Sequence, residues 1–289
     1  MEGKIISKCS ENIVPFTGAE SCTLNEGKTV AILVTDSKAL FPVDPTAFND
    51  SLQGFVGALG TGRVYPITNI VENSPSGGEI ATSEIGFGGP QPTGTSAYSE
   101  TYRPNAGLCL FKQAAQFNKR KLRVFRIDDQ NNIFGTIVKR GDTEYYAGFE
   151  ATMYCNYIKA TDNSTVGAPR IGVYYGVNYE TEFKKAHAFG LDAVPEGLVG
   201  VELKKVNSGV SQVVSSCSGT DFTATYGTDL TLDAFINDSG NNPTSVLFDE
   251  ETGFLTIAPA GKYRVANAIV LQGLGIYDIE GNGVFTDLI

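Results

Sequence analysis

LRVFRIDDQNNIFGTIV, residues 122–138, reads as two apolar strands joined by a polar elbow. Asp128, Asp129, Gln130, Asn131 and Asn132 supply the turn formers, and Ile133 to Val138 is the returning strand. Leu122 and Val124 share one side of the first strand, while Phe125 and Ile127 fall on the other. A side chain's parity decides its face in a strand, so this switch calls for a bulge or for burial on both faces.

Upstream, LCLFKQAAQFN (residues 108–118) places Leu108, Phe111 and Ala115 in one helical row and Leu110, Ala114 and Phe117 beside it. This spacing predicts a packing helix, with Asn105 as its N-cap and Asn118 as its stop. Before it, residues 74–104 are rich in Gly, Pro, Ser and Thr and poor in long aliphatics. They read as a long extended loop or an irregular two-stranded arm. KTVAILVTD, residues 28–36, alternates as a strand through Val30, Ile32 and Val34. RVYPITNIV, residues 63–71, is a short strand that Pro66 confines to an edge. Downstream, residues 145–158 and 170–179 are strands rich in Tyr, Val and Ile, and residues 181–189 form one or two helical turns.

After residue 199 the texture changes to short strand-like runs separated by Gly, Asn, Asp and Pro, with turns at Thr252–Gly253 and Pro259–Gly261. The expected fold class is mainly β (α+β). It comprises a β-sandwich or barrel with one packing helix and a long extended arm, followed by a β-module. The domains are residues 1–199, a β-rich assembly domain with the helix near 108–118 and the arm near 74–104, and residues 200–289, the C-terminal module.

The 289 residues carry a formal net charge of −10, with 42% hydrophobic and 19% charged side chains. Such a chain is globular. Its acidity speaks against gripping phosphates, which takes Lys and Arg. Cys9, Cys22, Cys109, Cys155 and Cys217 are odd in number and widely spaced, without a C-x-x-C pair, so structural zinc is not expected. They read as reduced, mostly buried thiols, with a Cys9–Cys22 disulfide as the alternative. The N-terminal residues lack the apolar core of a secretory signal, and no apolar run reaches the length of a membrane span. The sequons at Asn49, Asn163 and Asn237 read as chance matches.

No motif assembles a catalytic centre, so the expected catalytic, cofactor-binding and metal sites are none. His187 is the single histidine and reads as a packing or surface residue. GALGTGRVY, residues 57–65, does not match the dinucleotide fingerprint and reads as a turn. DIEGNG, residues 278–283, imitates the start of a calcium loop through Asp278, Glu280 and Asn282, but its twelfth position is Ile289, so a hairpin turn is expected. Asp128–Asp129 and Asp249–Glu250–Glu251 read as solvated turns, and Asn118-Lys119-Arg120-Lys121 as a cationic helix C-terminus.

The order of elements is an N-terminal β segment, the arm GFGGPQPTGTSAYSETYRPN, the helix LCLFKQAAQFN, the sharp hairpin and then more strands. It resembles the tail-tube type of tailed-bacteriophage virion proteins over about residues 60–180. In that family a β-sandwich or barrel flanked by a helix forms hexameric rings that stack around a DNA channel, with loops bridging to the next ring. The resemblance implies a virion structural protein made in the host cytoplasm and needing no cofactor. Its partners would be copies of itself and other virion proteins. DNA would pass without specific binding, and there would be no membrane. By analogy the last 90 or so residues are an immunoglobulin-like module. It also implies that hairpin and arm are the assembly elements. A capsid decoration or fibre protein, and a hydrolase of unfamiliar type, are the alternatives.

Overall fold

The computed structural model describes residues 5–8, 26–84, 86–159 and 167–289. Cys9, Cys22 and Asn163 lie outside them. The chain divides into two compact units, Met1–Phe55 with Leu59–Pro195, and Val56–Ala58 with Glu196–Ile289.

The first unit contains β1 (Ile5–Lys8), β2 (Thr29–Asp36), α1 (Pro45–Gly57, whose last residues belong to the second unit), β3 (Val64–Ile67) and β4 (Ile70–Ser76). Next come β5 (Ile80–Glu84), β6 (Pro90–Thr95), β7 (Ser99–Pro104), α2 (Leu108–Ala114), β8 (Lys121–Asp128) and β9 (Asn132–Arg140). β10 (Thr143–Ala147), β11 (Phe149–Ile158), β12 (Ala168–Tyr175), α3 (Tyr179–Lys184) and β13 (Ala186–Gly190) complete it. Eleven of these strands form one sheet with the path β1-β13-β9-β8-β11-β12-β7-β4, to which β2, β3 and β10 attach.

The opening hairpin is β8–β9, and it lies in the middle of this sheet. β8 pairs with β2 along one edge and with β11 and then β9 along the other. Its parity switch comes from burial on both faces, without a bulge. Leu122 and Val124 join a core with Ile32, Phe149, Met153 and Ile171, over which α2 packs. Phe125 turns the other way, into a cluster of rings with Phe41, Phe48 and Tyr146 from α1 and its approach and from β10. Both edges of β8 are thus filled within the sheet, while β13 covers the outer edge of β9 only over residues 132–136.

Asp128 closes the turn. It is buried and accepts from the backbone N–H groups of Gly27, Gln130 and Asn132 and from the Asn132 amide. The expected solvated acidic pair is thus wrong for Asp128 and holds for exposed Asp129. The strand expected over residues 145–158 breaks at Gly148, where an added Cβ would meet the Val124 backbone nitrogen at 2.6 Å. Only glycine lets the chain turn against β8 so closely.

The expected packing helix is α2, continued by a tight turn over Ala115–Phe117 and stopped at Asn118. Its N-cap is Gly107, without a side-chain cap, rather than Asn105, whose N–H goes to the Asn69 carbonyl. Pro66 sits in β3, an edge strand as its ring requires. Residues 74–104 form a two-stranded arm. β4 and β7 pair at the sheet's edge, and beyond Gly77–Gly78 the ribbon β5–β6 pairs only with itself. Gly77 has φ +83°, and a Cβ there would strike the Ala97 carbonyl across the ribbon.

The second unit contains β14 (Val199–Asn207), β15 (Val210–Ser215), α4 (Thr223–Tyr226), β16 (Phe235–Asn237), β17 (Ser245–Asp249) and β18 (Phe254–Ala258). β19 (Lys262–Val265), α5 (Ala268–Gly273), β20 (Ile279–Gly281) and β21 (Thr286–Asp287) follow. A five-stranded sheet, β17-β18-β15-β14-β20, and a three-stranded sheet, β16-β19-β21, share a core of Val201, Val213, Phe235, Leu255, Val265 and Leu271. The turns at Thr252–Gly253 and Pro259–Gly261 connect β17 to β18 and β18 to β19. The molecule is thus mainly β with few helices, as its alternating and turn-punctuated sequence implied.

Candidate functional site

The structure gives each residue singled out in the sequence a definite place. His187 lies on β13 instead of a helical turn and is buried between the rings of Tyr146 and Phe189. GALGTGRVY makes a tight turn over Gly60–Gly62 and then enters β3. DIEGNG is not a hairpin. It contains β20, which runs parallel to β14, and its side chains diverge. Asp278 accepts from the Tyr226 hydroxyl at 2.6 Å, and the Asn282 amide donates to Glu202 at 2.9 Å. Among the described residues no three His, Cys, Asp or Glu side chains converge as metal ligands would. Asp249, Glu250 and Glu251 are exposed on their turn, as are Lys119, Arg120 and Lys121 on theirs.

The cysteines correct the sequence reading. Cys109 and Cys217 each take part in a disulfide, and Cys155 is a free buried thiol among the described residues. Burial pushes the Cys155 thiol up to about 11. Asn49 and Asn237 are already engaged. Asn49 donates to the Pro45 and Gly190 carbonyls, and Asn237 accepts from the Ser239 and Asn241 N–H groups.

The chemistry concentrates at Arg126, the β8 residue after Phe125. Its side chain is 2% exposed. Nη1 donates to Glu100 Oε2 at 3.3 Å and to the Tyr179 hydroxyl at 3.0 Å, and Nη2 donates to Glu26 Oε1 at 2.5 Å. The guanidinium also lies 5.0 Å from the Phe149 ring centroid and 5.7 Å from that of Tyr175, so rings and carboxylates share the work of replacing its water.

Glu100 on β7 is sealed. It accepts from the Tyr98 hydroxyl at 3.0 Å, from the Tyr175 hydroxyl at 2.5 Å, from Tyr102 and from Arg126. Burial opposes its ionisation most strongly, but Arg126 and the three hydroxyl bonds outweigh that opposition, and its carboxyl lies below the ordinary range. Glu26 shows the reverse balance. Burial raises its carboxyl, and Arg126 only partly offsets this. One buried guanidinium therefore serves two carboxylates and satisfies one of them fully. Glu100 is thus held on both oxygens, and the group is a clamp joining β7, β8, β12 and the start of α3.

Above the clamp lies a cavity of about 600 Å³. It is lined by Glu26, Arg126, Tyr98 and Tyr175, by the arm base (Gly77, Gly78 and Thr95 to Ala97), and by Tyr179, Glu180 and Phe183 of α3. Tyr98 stacks on Tyr179 at 5.1 Å and on Tyr175 at 5.5 Å, and the Thr95 hydroxyl bonds Glu180 at 3.3 Å across the opening.

Sequence reasoning missed this site. Its signal was present in AYSETYRP, where Tyr98, Glu100 and Tyr102 alternate at strand spacing, and in an arginine set within the apolar run of β8. No protein-family model and no curated protein matches this sequence. Among the described residues no helix is long and apolar enough to cross a membrane.

Proposed function

We propose that this chain is a structural protein of a tailed-bacteriophage virion, a tail-tube protomer that assembles into stacked rings around a DNA channel. The observation that carries this reading is the β5–β6 ribbon. Nearly every described side chain in it is exposed, Ile80 to 73%. A two-stranded ribbon with neither face covered is marginal in water. In a ring, a neighbouring protomer supplies the missing surface, by strand pairing along the ribbon's open edges or by covering a face. The arm is thus the assembly limb, and the clamp at its root fixes the direction in which it leaves the sheet. A net charge of −10 suits walls past which phosphates slide without sticking.

The test compares the intact chain with one in which residues 79–95 are replaced by a short Gly-Ser turn. Light scattering after size exclusion and negative-stain microscopy should show rings or tubes for the intact chain and monomers for the shortened one. An intact chain that stays a compact monomer at every concentration overturns the reading.

A further inference from the structure

The cavity above Arg126 has an unbalanced charge. Glu100 takes up the guanidinium's charge from behind, through a sealed set of bonds, and the remaining charged groups facing the cavity are Glu26 and Glu180. Neither is neutralised further by a cation among the described residues. Glu26 lines the cavity with its side chain 27% exposed, and Glu180 is exposed and bonds a neutral threonine. Between these carboxylates stand aromatic surfaces. The Tyr98 and Tyr179 rings are half-exposed, and Phe183, 40% exposed, stands at the rim with Val177, which is wholly exposed. An anion would be repelled here. A neutral apolar molecule would bring Glu26 and Glu180 no countercharge.

A cation on an aliphatic stem meets every feature: carboxylates for its charge, ring faces for its delocalised positive edge, and an apolar rim for its methylenes. The protein shows the same chemistry once already, with Arg126 set against Phe149 and Tyr175 and between two carboxylates. The volume, about 600 Å³, lies within the usual small-ligand range of roughly 300–1,000 Å³.

We propose that this cavity is a binding site for an alkylguanidinium or alkylammonium group, held between Glu26 and Glu180 against Tyr98, Tyr179 and Phe183. The chemistry is shared by a free organic cation and by an arginine or lysine side chain of a neighbouring copy. The site stands on the first unit alone and does not depend on ring assembly.

The experiment titrates the full chain with n-butylguanidinium and, in parallel, with its uncharged isostere n-butylurea, read by calorimetry and by tyrosine ring shifts in NMR spectra. Butylguanidinium should bind saturably, with a Kd of about 1 mM or tighter, more weakly as salt rises. Glu180→Gln keeps the acceptor for Thr95 and removes only charge. It should weaken binding about tenfold, and Glu180→Lys should abolish it. Both substitutions lie at an exposed position, and a retained near-ultraviolet spectrum verifies the fold. The oligomer mass is followed during the same titration. A fall in mass as butylguanidinium saturates identifies a neighbour's side chain as the natural occupant, while binding at unchanged mass identifies a free cation. Absence of both binding and mass change up to about 10 mM, equal binding of butylurea, or indifference to Glu180→Lys overturns the proposal. A chain that is monomeric yet binds the probe defeats the assembly reading and leaves this one standing.

Discussion

Replacing Glu100 by glutamine tests whether the clamp holds the first unit together. The carboxylate accepts from three tyrosine hydroxyls and from Arg126. Glutamine keeps one carbonyl oxygen but presents an N–H₂ group where the second oxygen stood, so at least one tyrosine hydroxyl must reverse its bond. Breaking a buried ion pair from one side costs about 3–5 kcal/mol. Glu26 remains on Arg126 in the variant, which keeps the guanidinium from being stripped of countercharge and places the loss at the lower end, about 3 kcal/mol. A domain's whole stability is about 5–15 kcal/mol, so the loss is readily measured. With an m-value of about 2 kcal/mol/M, the urea midpoint of the first unit, followed by tyrosine near-ultraviolet circular dichroism, should fall by about 1.5 M. The pH dependence fixes the cause. Because the folded-state carboxyl of Glu100 lies below its ordinary value of 4.5, its stabilisation is complete above that value and is lost as pH falls through the folded value. The gap between wild type and variant should therefore close on acidification below about pH 4.5. A midpoint shift under about 0.5 M at neutral pH, or a gap that stays constant on acidification, refutes the clamp as described.

Glu26→Gln should behave oppositely. Burial raises the Glu26 carboxyl, so its ionised form burdens the folded state near neutrality, and the variant should be as stable as wild type or more so, within about 1 kcal/mol. That difference should vanish as pH falls and Glu26 takes up its proton, and urea melts across the acid range read it. Gly148→Ala drives a Cβ into the Val124 backbone and should cost at least about 2 kcal/mol in the same melts, with no compensating side-chain movement available. Under denaturing, non-reducing conditions, iodoacetamide should label Cys155 and spare Cys109 and Cys217, as peptide mass spectrometry would show. Labelling of Cys109 or Cys217 contradicts their disulfide-bonded state.

The legible parts of the sequence were those governed by local physics. Alternation exposed β2 and the β8–β9 hairpin, helical spacing exposed α2, and Pro66 marked an edge. Both parities of β8 are apolar because the strand is covered on two sides, and the letters said as much. What the letters concealed was position within the sheet. A hairpin at an edge and a hairpin at the centre have the same local pattern, and only pairings with β2 and β11, far away along the chain, distinguish them. Asp128 misled for a related reason. Turn chemistry fixed it correctly to a turn, but Gly27 arriving from a distant segment buries it. The clamp was hidden because its members are spread from Glu26 to Tyr179 and carry no motif spacing. The alternation of Tyr98, Glu100 and Tyr102 and the charge inside an apolar strand were the warnings.

That spread also sets a timetable for synthesis. Arg126 bonds Glu26 across 100 residues and Tyr179 across another 53. As the polypeptide leaves the ribosome, Glu26, Glu100 and Arg126 emerge with their charges unscreened by the rings that later enclose them. Until the segment through Tyr179 clears the exit tunnel, the guanidinium lacks one of its hydrogen-bond acceptors. The full set of bonds around the guanidinium can therefore form only after most of the first unit has been translated.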